Sequence, residues 1–199
     1  MAERIGIGLI YLLKVEAIKI GDSASAPLLT LIVGPSEEGR KVGETKEEIV
    51  ERQALRYEFW KQLLERAKSK TRLHASISPG VFSYIGTGAG RSGLSYAYSI
   101  RQNAGQVDLY IDRGKDSEKE NKAIFEAISK DKDEIERMFG GALDWQRLDG
   151  KRACRIRYVI SLGGYRDDQA KWPQIQDAMI DAMIRLNKAL KPHVDKLEL

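Results

Sequence analysis

Thiols and imidazoles are scarce: this 199-residue chain has one cysteine, Cys154, and two histidines, His74 and His193. A single thiol excludes an internal disulfide framework and any cysteine-based zinc cluster, and fits a reducing, cytoplasmic setting. The histidines have no nearby Cys or His at ligand spacing, so no metal or cofactor is expected and each reads as a surface side chain. Long apolar runs are missing too. Nothing approaches the roughly 18 residues of a membrane span. The apolar opening, residues 1–14, carries Glu3, Arg4 and Lys14 and lacks a small-residue cleavage site, so no membrane or export role is expected. Charge of one sign is not concentrated either: 33 Lys and Arg stand against 29 Asp and Glu, a net +4 that permits a polyanionic partner without naming one. What remains, 42% hydrophobic and 31% charged residues, suits one ordinary core.

The periodicities alternate between helix and hairpin. Residues 15–35, VEAIKIGDSASAPLLTLIVGP, hold two apolar runs, Val15 to Ile20 and Leu28 to Val33, around a Gly-Asp-Ser turn, and predict a hairpin within residues 7–33. From Glu44 to Ser69, Tyr57, Trp60, Leu64 and Ala67 recur at helical spacing. A second helix starts at a Ser117/Glu120 capping box, carries Ile124, Ala127, Ile128, Ile135 and Met138, and stops at Gly140-Gly141. A third places Trp172, Ile175, Met179, Met183, Leu186 and Leu190 on one stripe. Between them, Leu94–Arg101 with Val107–Arg113, and Leu143–Leu148 with Ala153–Leu162, read as hairpins. Clustered hairpins predict an α+β fold: an antiparallel sheet covered by three main helices, with residues 1–43 as an N-terminal hairpin segment and 44–199 as the main domain.

Several stretches invite a chemical reading. GTGAGRSG, residues 86–93, contains Gly88, Gly90 and Gly93 at dinucleotide-fingerprint spacing, but residues 94–101 alternate like a strand where the fingerprint needs a helix, so a flexible approach to a hairpin is the better reading. For a metal-dependent nuclease, Asp108, Asp112 and Lys115 lack the acidic-x-Lys triplet, whereas Asp149-Gly150-Lys151 with Asp144 upstream offers it. Asp149-Gly150 is equally a common turn signal, which weighs more. Cys154 shares a strand face with Ile156, Tyr158 and Ile160 and reads as a small buried hydrophobe. The remaining signal is basic: Arg155 and Arg157 project from the opposite face of that strand, Lys151 and Arg152 flank its turn, and Arg101 and Arg113 end the two strands of the preceding hairpin. With Tyr110 among them, these guanidinium groups suit phosphates and bases. The plainer alternative pairs Arg155 and Arg157 with Asp108 and Asp112 across the strands.

Taken in order, the 15–35 stretch, RYEFWKQLLERAKSK, VDLYIDRG, NKAIFEAISKDKDEIE, DGKRACRIRYVI and WPQIQDAMIDAMIRL resemble a bacterial and archaeal family of unknown function. That domain typically forms the C-terminal half of predicted restriction-type nucleases whose N-terminal half looks like a PD-(D/E)XK fold. The resemblance implies that this chain looks like the back half, with the nuclease motifs upstream of the 15–35 hairpin and no catalytic residue to carry over. The expected role is a non-catalytic accessory domain contributing DNA contacts or assembly, with DNA, a separate nuclease domain or chain, and a second copy joined through the N-terminal hairpin or C-terminal helix as the expected partners. A free-standing nuclease and a structural oligomerisation module are the alternatives.

Overall fold

The computed structural model describes residues 12–18, 26–33 and 46–197. Two compact units, Met1–Ile49 and Val50–Leu199, divide the chain. In the first, β1 (Leu12–Ile18) and β2 (Ala26–Val33) pair antiparallel, Leu12 opposite Val33 and Ile18 opposite Ala26. Both strands begin earlier than the apolar runs suggest, and the Gly-Asp-Ser turn and residues 7–11 lie outside the described residues.

The second unit is built as the alternating patterns imply: an antiparallel five-stranded sheet with helices, an α+β fold. Its order is β3 (Tyr84–Gly88), β4 (Leu94–Ile100), β5 (Gly105–Ile111), β7 (Cys154–Ile160), β6 (Asp144–Gln146), the last at the edge. Four helices accompany it: α1 (Lys46–Lys68), which begins in the first unit, α2 (Glu118–Ser129), α3 (Lys132–Phe139) and α4 (Trp172–Asp195). The pattern over 117–141, read as one helix, is thus broken at Lys130-Asp131, while Gly140 ends α3 in the left-handed conformation that glycine adopts without strain.

Side-chain alternation sorts the sheet into two unlike faces. On one, Leu94, Tyr96, Tyr98 and Ile100 of β4, Val107, Leu109 and Ile111 of β5, and Cys154, Ile156 and Ile160 of β7 are buried. Helix α4 lies over this face with its whole stripe, Trp172 to Leu190, at most 1% exposed. Gly105 makes that approach possible, since a Cβ there would meet Met179 Sδ at 2.7 Å. Helix α1 packs on α4 through Phe59 against Trp172, ring centres 5.3 Å apart, and through Arg66, which pairs with Asp177 together with Lys70 just beyond the helix. The α4 stripe, expected as one surface for a second copy, is taken up by the chain's own core. Tyr57, read as part of the α1 stripe, is exposed; Phe59 and Leu63 take its place.

The expected capping box does not form. Ser117 Oγ donates to Gly114 O at 2.6 Å, and Glu120 pairs with Arg113 at 3.0 Å. Both histidines are buried rather than on the surface. His74 lies against Tyr98 with Nε2 at 3.1 Å from Tyr96 O, and His193 meets Asp131 at 2.9 Å. Cys154 is buried as expected, its thiol donating to Arg147 O at 3.1 Å and its pKa raised by burial. Among the described residues, no helix is long and apolar enough to cross a membrane.

Candidate functional site

The other face of the sheet is an open groove of about 620 Å³. The registers set its surface in three cross-strand rows: Tyr84–Ser99–Gln106, then Gly86–Ala97–Asp108–Arg157, then Gly88–Ser95–Tyr110–Arg155. Small residues on β3 and β4 keep the floor low. Tyr84, 62% exposed, and Tyr110, 38% exposed, rise from the first and third rows. Phe82 is also exposed, its ring centre 6.5 Å from that of Tyr84. The glycines of GTGAGRSG therefore serve the sheet: Gly86 and Gly88 lie in β3, and Gly90 and Gly93 make the β3–β4 turn at positive φ. No helix follows them, so a phosphate-binding helix start is absent at this point.

A polar chain runs across the floor. Gln106 donates to Asp108 at 2.6 Å and accepts from Arg157 at 3.0 Å, while Arg157 pairs with Asp144 at 2.7 Å. Gln146 accepts from Arg155 Nε at 2.5 Å. Asp108 is buried, and burial raises its pKa against the lowering influence of Gln106, Arg155 and Arg157. Burial, then the like charge of Arg157, lowers the pKa of Arg155, yet a guanidinium stays protonated in proteins. Among the described residues Arg155 makes no ion pair.

Of the basic residues picked out by sequence, Arg101 and Arg155 line the groove. Lys151 and Arg152 line a neighbouring hollow of about 290 Å³ that shares Tyr110 and Arg155 with it, so the basic surface is continuous past the third row. Arg157 is on the face but committed to Asp144 and Gln106. Arg113 lines neither hollow; it pairs with Glu120. The cross-strand alternative paired Arg155 and Arg157 with Asp108 and Asp112; the ion pairs that form are instead Arg157 with Asp144, and Arg152 with Asp112 through two bonds at 2.7 and 2.6 Å.

Two buried polar residues of α2 hold the basic turn in place. Lys122 Nζ donates to the carbonyls of Arg147 at 2.7 Å, Leu148 at 3.1 Å, Lys151 at 2.7 Å and Ala153 at 3.3 Å. Asn121 accepts from Arg113 N at 3.0 Å and donates to Arg152 O at 3.2 Å. Leu148 and Gly150 take positive φ inside this turn, as the Asp-Gly signal anticipates. At the groove's other end Tyr165 N donates to Arg101 O at 3.0 Å, an approach that only glycine at 164 permits, since a Cβ there would sit 2.2 Å from that oxygen.

The carboxylates considered for metal chemistry are dispersed. Asp149 pairs with Arg147, Asp112 with Arg152 and Asp144 with Arg157, and among the described residues no three His, Cys, Asp or Glu side chains cluster as metal ligands. Missed from sequence were Tyr84, Gln106, Gln146 and the small floor. The signal for the floor was present: Ser95, Ala97 and Ser99 alternate with the large Tyr96, Tyr98 and Ile100 along β4.

No curated protein and no solved structure matches the chain. The profile of the family described as "Domain of unknown function (DUF4268)" matches residues 55–194, which covers β3 to β7, α2, α3 and nearly all of α4. The chain therefore belongs to the DUF4268 family.

Proposed function

We propose that this chain is a non-catalytic accessory domain of a restriction-type, nucleic-acid-processing nuclease, and that it contacts nucleic acid through the open face of its sheet. The observation that carries this reading is the groove itself. It is lined by Arg101 and Arg155, adjoins the hollow that holds Arg152 and Lys151, and carries the exposed Tyr84 and Tyr110. Phosphates are held by guanidinium and ammonium groups, and bases by aromatic rings, and both kinds of group share this surface. Association with a nuclease half, in the same or a separate chain, is inferred from the sequence resemblance, and the β1–β2 unit is the segment proposed to meet it, since two strands alone are marginal in water.

Fluorescence anisotropy with short labelled DNA at low salt tests the reading. Binding should weaken as salt rises, and the Arg101→Ala/Arg155→Ala variant should both bind less tightly and show a shallower salt slope, by about one to two units for two lost phosphate contacts. Absence of binding, or binding indifferent to both arginines, contradicts it.

A further inference from the structure

We infer that the groove takes an unpaired stretch of nucleic acid with its bases turned toward the sheet, so that single strands are bound in preference to duplex. This rests on the nucleic-acid reading above and specifies its ligand. Tyr84 and Tyr110 stand at diagonally opposite corners, two strands and four residues apart. At about 4.8 Å between strands and about 3.4 Å per residue, that diagonal is about 17 Å. Two aromatic faces this far apart, with a low floor between, do not sandwich one flat ligand; they suit successive bases of an extended strand.

The floor favours the same orientation. A carboxyl at its centre, Asp108, is a poor seat for a phosphate and a good acceptor for a base amino group, and its Oδ1 takes no donor among the described residues. Arg157, beside Asp108 in the second row, is committed to Asp144 and Gln106; of the other cations, Arg101 follows the first row and Arg155, Arg152 and Lys151 lie along and beyond the third. A sugar-phosphate backbone following the strands meets these cations while its bases lie over Ala97 and Asp108. Duplex DNA cannot use this surface in the same way. Its bases are read by an element that enters a major groove about 12 Å wide, and a recess has nothing to insert. Its phosphates would reach only the arginines.

Anisotropy with one labelled strand of about 12 nucleotides, free and annealed to its complement, separates the possibilities. The single strand should bind about ten-fold tighter or better than the duplex. Tyr84→Ala and Tyr110→Ala should each weaken single-strand binding by about five-fold or more and leave the weaker duplex binding unchanged. Both side chains are exposed enough for the variants to fold, which thermal melts verify, and Tyr84, the more exposed, carries the test should Tyr110→Ala prove unstable. Lys61→Ala, on the solvent side of α1, should change neither. Equal affinity for the two forms, or tyrosine variants without effect while Arg101→Ala/Arg155→Ala still weakens binding, overturns the single-strand inference and leaves the nucleic-acid reading standing. No binding to either form overturns both.

Discussion

Replacing Lys122 by methionine keeps the length of the side chain and removes its charge and donors. In the native chain the ammonium sits on a 7%-exposed residue and serves four carbonyls of the segment between β6 and β7. Two of these keep another donor: Leu148 O takes the Lys151 N–H at 2.9 Å, and Arg147 O the Cys154 thiol at 3.1 Å. An ammonium has three protons to share among the four carbonyls, so the loss is about two to three charge-assisted bonds. At a net contribution of about 1.5 kcal/mol or more each, the variant should be less stable by about 3–5 kcal/mol. For a chain of this size each kcal/mol moves the melting temperature by about 2–4 °C, so a fall on the order of 10 °C is expected by calorimetry or circular dichroism. Because the same turn carries Lys151 and Arg152, nucleic-acid binding measured well below the melting temperature should also weaken. A Lys122→Met variant that melts within about 2 °C of the parent refutes the reasoning, and the ammonium is then only a solvated surface charge that happens to lie near carbonyls.

Burial lowers the pKa of His74 from 6.5 to about 4, the hydrogen bond to Tyr96 O opposing this only in part. The unfolded chain then binds the extra proton first. Stability should fall as pH drops from above 6.5 toward 4, by up to roughly 3 kcal/mol, in urea melts across that range. Asp108, whose carboxyl is raised by burial, acts in the opposite sense, so the His74→Gln variant is the reference, and it should lose this part of the slope. Gly164→Ala should destabilise the chain by about 1–3 kcal/mol, because its Cβ collides with backbone rather than with a yielding side chain. Thermal melts at neutral pH check this, and no change would mean that the 101–103 turn gives way freely. Asp112→Ala, which releases Arg152, should leave stability within about 1 kcal/mol and raise affinity for nucleic acid by freeing a cation beside the groove.

The elements most legible in the sequence were those whose order comes from packing on one side. The α4 stripe and the alternation of Tyr96, Tyr98 and Ile100 were readable because each buries one regular face. Strand β3 was not, because its glycines carry no side chain to alternate and its pairing with β4 is specified by the partner strand. The break between α2 and α3 was hidden because Lys130 and Asp131 are compatible with a continuous helix, and the register changes through contacts such as Asp131 with His193 from a distant element. The buried histidines illustrate the same limit: nothing adjacent in sequence announces that Tyr96 O will meet His74. At the site, Arg101, Lys151, Arg152 and Arg155 were readable as cations at strand ends and on an outward face, whereas their joining into one surface depends on the β5–β7 pairing. Asn121 and Lys122 were not picked out from the sequence, although Asn121 stands three residues before Ile124 on the apolar stripe of α2, because the carbonyls that Lys122 serves belong to a segment about 25 residues further on.

The most direct test of the account is a map of where nucleic acid touches the protein. A two-dimensional amide NMR titration of the isotope-labelled chain with a short single-stranded oligonucleotide provides it at 22.4 kDa. The predicted result is a set of shifts confined to residues 84–88, 95–101, 106–110 and 151–157, with the amides of α1 and of the buried side of α4 unchanged. Shifts centred on α1 or α4 instead, or none at oligonucleotide concentrations in large excess, would contradict the assignment of the open sheet face as the nucleic-acid contact.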